Sequence, residues 1–155
     1  MNYEKLKELF KIAEEEDIGV YFAKMSEGLK GYSTLTNGYY DIFINSKLSG
    51  TELLLAVAHE KSHTQGNMIF EWMSDFQKEL RERRAENSAL EYIVPYEDVV
   101  KVVSDTYIRC EYEAAEILHI DVDTFLKVIQ YYSSKGLAVR HCDFNKDWMQ
   151  WHYDI

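Results

Sequence analysis

Proline occurs once and glycine seven times in 155 residues, and no stretch gathers them with serine into a linker. Internal repeats and low-complexity segments are missing too. One domain over residues 1–155 is therefore expected, long enough for a real core and too short for two good ones. Cysteine occurs twice, at Cys110 and Cys142, with neither a CxxC pair nor the spacing of a secreted framework. Two free thiols in a reducing compartment fit that usage better than a disulfide. Basic side chains are outnumbered 17 to 27, a formal net charge of −10. Nucleic acid phosphates and anionic membranes are bound through Lys and Arg, so such a chain is repelled by both. The opening "MNYEKLKELFKIAEEED" has no continuous apolar segment of signal-peptide type, and no run is long enough to span a bilayer. The expected location is the cytoplasm, with no membrane contact and no direct nucleic acid binding.

What is present is ordinary globular composition, 46% apolar and 28% charged. Leu6, Leu9, Phe10 and Ala13 fall at helical spacing within residues 3–16, predicting an amphipathic first helix. "GVYFAKM" is a short strand candidate. "GYSTLTNGYYDIFIN" holds two β-rich runs around Asn37-Gly38, the strongest short-range hairpin signal. Tyr40, Ile42 and Ile44 alternate with Asp41 and Asn45, which predicts one buried and one open face.

"LSGTELLLAVAHEKSH" opens with Ser49-Gly50-Thr51-Glu52, a capping box in which Ser49 caps and Glu52 reaches back. From Leu53 to Ala58 the predicted helix is apolar on every side, hence covered on every side. A looser segment follows from about Gly66 to Phe76. Helical periodicity resumes near Asp75 and ends at Pro95. Residues 96–104 read as a short helix. "RCEYEAAEILHI" and "DVDTFLKVIQYYSSKG" read as two more, joined at Asp121 and stopped by Gly136. The tail, 137–155, stays unassigned. The expected fold class is α+β: a small N-terminal sheet or hairpin, a buried helix, then a C-terminal helical bundle.

The chemistry gathers at "AVAHEKSH". Residues i and i+4 lie about 40° apart on one face of a helix. His59 and His63 can therefore aim ring nitrogens at one point, as Zn²⁺ requires at roughly 2.0–2.1 Å. Glu60 sits about 100° round, unable to share that position but able to hydrogen-bond a water beside such a metal; it is the candidate general base. Two satisfied histidines ending a core helix would be the plain alternative. An apolar helix gains nothing from three buried ionisable groups, however, unless something pairs them.

A catalytic zinc keeps three protein ligands and one position for water. His119, His141, His152 and Cys110 have no spacing in their favour. On "KELRERRAENSALEYIVP", Glu82, Ala85, Ala89 and Ile93 share one narrow stripe, with Arg83 and Arg84 pointing away. Glu82 is the expected third ligand. Glu86, one turn later, is either a hydrogen-bond acceptor for a ligating imidazole's second nitrogen or a solvated flank residue.

With these residues in hand, the chain resembles the ImmA/IrrE family of metallopeptidases, especially the compact versions of phages and mobile elements. The match rests on "LKGYS…YYDIFIN", "AVAHEKSH", "ERRAENSALEYIVP" and "EYEAAEILHIDVDTFLKVIQYY", about residues 15–136. HExxH alone is shared by many peptidases; joined to ExxAE and a closing proline it is far more specific. The resemblance implies a zincin-like domain with Zn²⁺ on His59, His63 and Glu82 and Glu60 as base. It also implies a protein substrate, typically a basic helix-turn-helix repressor whose cleavage releases the genes of the element. Lys61-Ser62 stand where the family commonly has Leu-Gly, which touches neither a ligand nor the base.

Two other readings carry weight. The same site could serve a metal-binding regulator that acts by partner binding without proteolysis, although an intact Glu60 has no use in a structural site. "YEAAEILHIDVDTFLKVIQYY" has the outline of a DNA-binding helix-turn-helix. Its Glu113, Glu116, Asp121 and Asp123 against a lone Lys127 would be repelled by phosphate, so a packed helical hairpin is the better account.

Overall fold

Asn37 and Gly38 both take positive φ, 53° and 81°, the backbone that a tight two-residue hairpin turn requires. In the computed structural model, which describes residues 3–135, they join strand β2 (Gly31–Thr36) to β3 (Tyr39–Asn45) as an antiparallel pair. Strand β1 (Gly19–Ala23) adds parallel to the other side of β3, giving the order β1-β3-β2. Register puts Val20, Ile42 and Ser33 on one face, and Tyr21, Phe43 and Tyr32 on the other. The second face carries stacked rings, with Phe43 4.8 Å from Tyr32 and 5.3 Å from Tyr21 between centroids. Ile42 and Ile44 of the first face are fully buried.

Helix α1 (Tyr3–Glu15) buries Leu6, Leu9 and Ala13. Helix α2 (Gly50–His63) packs against α1, β2 and β3, and most extensively against α3 (Asp75–Ile93). No residue from Leu53 to Ala58 is exposed, as continuous apolarity predicts. Helix α3 meets α2 through small residues: Ala85 and Ala89 are buried with Leu90 and Ile93, while Arg83 and Arg84 face solvent. The segment between the helices is irregular but tied, because the Arg81 guanidinium donates to the carbonyls of Gly66 and Met68 at 3.2 and 2.9 Å.

Two local expectations change. Ser49 caps α2 by position, yet its side chain makes no cap hydrogen bond. The chain enters the helix through Gly50 at φ 60°, a left-handed turn that replaces the capping box. Asn45 is buried rather than on the open face of β3. Its amide donates to the Leu29 carbonyl at 2.8 Å, and its side-chain oxygen accepts from the Lys47 N–H at 3.2 Å. A buried amide with both ends satisfied is stable where an unpaired one is not.

The chain divides between Ile93 and Val94 into two compact units. The second holds α4 (Tyr96–Ser104), α5 (Glu111–Ile117) and α6 (Val122–Ser134). Its core is Val99, Val102, Val103, Ala114, Ala115, Phe125, Val128, Ile129 and Tyr132. The Tyr132 hydroxyl donates to the Val94 carbonyl at 2.7 Å. His119 ends α5 in a left-handed turn at φ 57° and is exposed. Asp121 then caps α6 by accepting from the Thr124 N–H at 2.7 Å. Among the described residues no helix is long and apolar enough to cross a membrane. Gly136 and the 137–155 tail, with Cys142, His141 and His152, lie outside the described residues. Among the described residues the fold is thus α+β, a three-stranded sheet and six helices, with the HExxH motif inside α2.

Candidate active site

His59, Glu60 and His63 close the last turn of α2, with ligand-type atoms all within 4.8 Å of one another. The i, i+4 spacing brings the two Nε2 atoms to 3.1 Å. Glu82 reaches them from α3, Oε1 at 2.7 Å from His59 Nε2 and Oε2 at 3.3 Å from His63 Nε2. It does so from the stripe it shares with Ala85 and Ala89, whose small side chains let the two helices approach closely.

The state of His63 follows from its other nitrogen. Nδ1 lies 2.7 Å from the Asn67 carbonyl, an acceptor only, so Nδ1 carries a hydrogen, and in the neutral ring Nε2 presents a lone pair. That lone pair faces a carboxylate oxygen of Glu82. Acceptor against acceptor is an arrangement that a cation between them resolves. A tetrahedral ion with bonds of roughly 2.0 Å separates its ligand atoms by roughly 3.3 Å. The distances of 2.7, 3.1 and 3.3 Å lie at or just inside that spacing, within reach of side-chain adjustment. The donor set therefore fits a divalent metal.

Glu60 belongs to the same cluster but is otherwise engaged. Its side chain points to β2, where the Ser33 hydroxyl donates to Oε2 at 2.6 Å and stands 3.1 Å from the Glu60 backbone carbonyl. Burial pushes the Glu60 carboxyl above its ordinary value. The Ser33 bond and the two imidazoles oppose the shift, and the Glu82 charge adds to it. A cleft of about 200 Å³ opens here, lined by Ser33, Glu60, His63, Met68 and Glu82 among others. Glu82 is half-exposed at its mouth, whereas the His63 side chain is only 8% exposed.

Glu86 is exposed one turn beyond Glu82, and the acceptor beside His63 Nδ1 is the Asn67 carbonyl instead. Glu79, next to Arg83 at 2.9 Å, is likewise at the surface. Lys61, on the opposite side of α2, is buried and ion-paired with Glu16 at 2.8 Å. Sequence reasoning missed Ser33, Asn67 and Gly31. Ser33 is 27 positions from Glu60 and became visible only once β2 was laid over α2. Gly31 carried a faint signal as a glycine opening a β-rich run, where it can mark close backbone approach. A Cβ there would stand 2.7 Å from the Phe43 carbonyl oxygen and 3.3 Å from Glu60 Cγ.

Gly31→Ala is accordingly expected to push β2 away from β3 and Glu60 and to cost about 1–3 kcal/mol. Urea unfolding checks this; an unchanged midpoint would mean the strand yields without cost.

A search among curated proteins found no match. The family model Peptidase_M78, described as the IrrE N-terminal-like domain, matches residues 13–116. That span runs from the end of α1 into α5, well over half the chain, and contains His59, Glu60, His63 and Glu82. The chain belongs to this family, the ImmA/IrrE metallopeptidases.

Proposed function

We propose that the chain is a zinc-dependent endopeptidase in which His59, His63 and Glu82 hold the metal and Glu60 is the general base. The observation that carries this reading is the convergence of two imidazole nitrogens and one carboxylate at 2.7–3.3 Å beside a separate, buried carboxyl. Two nitrogens and one carboxylate, with a fourth position open, are a catalytic-zinc donor set. Zinc bound there supplies a Lewis acid that polarises the scissile carbonyl and acidifies water. The remaining work falls to the chain. Glu60 takes the proton of the attacking water and passes it to the leaving amine. The Asn67 carbonyl holds His63 in the tautomer that ligates, and Arg81 holds the segment carrying that carbonyl. Glu86 stands on the solvent side of α3.

We propose a protein substrate of basic character, a helix-turn-helix repressor of a phage or mobile element, met in the cytoplasm. The net charge of −10 favours a basic partner, and the family resemblance favours a repressor. Residues 1–155 are taken as one working domain because the family match runs across the Ile93–Val94 boundary. The test is incubation of the zinc-loaded chain with the helix-turn-helix repressor encoded beside its own gene. Cleavage by the parent and not by Glu60→Gln supports the reading. Tight binding without cleavage would favour the regulatory alternative.

The pH dependence has a definite sign. A base must be ionised to work, and burial raises the Glu60 pKa above the ordinary 4.5. Cleavage should therefore fall as acid protonates Glu60. A rate that rises as the pH drops through the Glu60 titration would contradict the base role.

A further inference from the structure

The Ser33 hydroxyl has one hydrogen and two acceptors from the same residue. Oε2 of Glu60 is 2.6 Å away and the Glu60 carbonyl oxygen 3.1 Å away. These acceptors differ in kind. The carbonyl lies in the last turn of α2, where carbonyls lack an intrahelical donor, so a bond to it steadies the helix end. The carboxylate is the atom pair that must gain and lose a proton. A charged acceptor draws the shorter and stronger bond, in agreement with the two distances.

Gly31, two residues earlier on the same face of β2, is what brings the hydroxyl within reach. With a Cβ at 31 the strand could not lie so close to Glu60 Cγ. Ser33 lines the cleft with Glu60, His63 and Glu82. It stands on a strand paired along its length to β3, so its position is set by backbone and not by a mobile loop.

We propose that Ser33 is a positioning residue for Glu60, a hydroxyl that serves the carboxyl in both of its protonation states. While Glu60 is charged, the hydroxyl donates to Oε2, fixes the side-chain conformer and leaves Oε1 to take the proton from water. Once Oε1 carries the proton, Oε2 is the carbonyl oxygen of the acid and still accepts the Ser33 hydrogen, so the new O–H stays on the side away from Ser33. Delivery of the proton to the leaving amine restores the carboxylate with the Ser33 bond unbroken. No proton is lost from Ser33 in the cycle, and Oε2 keeps its hydrogen bond in both states of Glu60. The proposal rests on the reading of Glu60 as the base.

The experiment compares the zinc-loaded full chain with Ser33→Ala, Ser33→Thr and Ser33→Val on the neighbouring repressor, with zinc content and a crystal structure for each. Thr keeps the hydroxyl, and Val has the same shape without it. Ala and Val are expected to lower kcat by roughly 10–100-fold at unchanged KM and zinc content. Thr should stay within about threefold of the parent. In the crystals, Glu60 should keep one conformer in the parent and Thr proteins and leave it in Ala and Val. A hydroxyl that only caps α2 predicts lower stability in Ala with kcat unchanged, and that result overturns the proposal. So does a Val variant as active as Thr. Should the parent cleave nothing, the peptidase reading fails by itself. The Glu60 conformer then decides for Ser33, and an unmoved carboxylate in Ser33→Ala counts against it.

Discussion

Glu60→Gln is expected to lose cleavage by roughly 10²–10⁴-fold while keeping its metal. The amide has the shape of the carboxyl and can still accept the Ser33 hydrogen bond, so the site stays assembled; what it lacks is a basic oxygen. Metal retention follows because the ligand set is His59, His63 and Glu82, with Glu60 directed to β2. Stability should move the opposite way from activity. Burial is the largest influence raising the Glu60 pKa, so the ionised form opposes folding, and it does so more as the pH rises through that pKa. In protein stripped of metal, the Gln variant should unfold at a higher temperature than the parent near neutral pH, with the difference shrinking in acid. A base in a site that costs stability is the usual exchange of stability for activity. Cleavage within a few-fold of the parent would remove Glu60 from the base role.

Glu82→Ala should bring the second large effect, on metal affinity. Loss of one of three ligands is expected to exceed the roughly 10–100-fold that outer-shell changes cost, because two imidazoles alone leave half of a tetrahedral site to solvent. Folding should be spared. The Glu82 side chain is 51% exposed, so its truncation opens no cavity, and Ala is the best helix former. Zinc titration against a competing chelator reads the affinity, and thermal unfolding of the stripped protein reads the fold. Equal zinc affinity in parent and variant would mean that the third ligand is another group.

Much of this is legible in the sequence alone. The hairpin was visible because Asn-Gly is one of few dipeptides that accept two positive φ values in succession. Glu82 was visible because helical geometry puts it on the stripe of alanines that a neighbouring helix must cover. Other features could not be read, for reasons that are physical. Asn45 looked like the polar member of an alternation, and only the Leu29 carbonyl and the Lys47 N–H make its burial tolerable. Ser49 and Glu52 formed a correct capping pattern that the left-handed Gly50 disabled. Asn67 acts through a backbone carbonyl, which every residue possesses and no sequence motif can mark. Ser33 is an ordinary strand serine until the sheet is folded over α2. The metal ligands announce themselves by residue type; the groups that orient them do so only by position.

The central claim is that His59, His63 and Glu82 form one metal site, and metal content per chain tests it most directly. Purified protein, given zinc and cleared of excess, should hold about one zinc per chain. A chain that retains none under those conditions would contradict the account and leave the HExxH motif to a binding or regulatory protein.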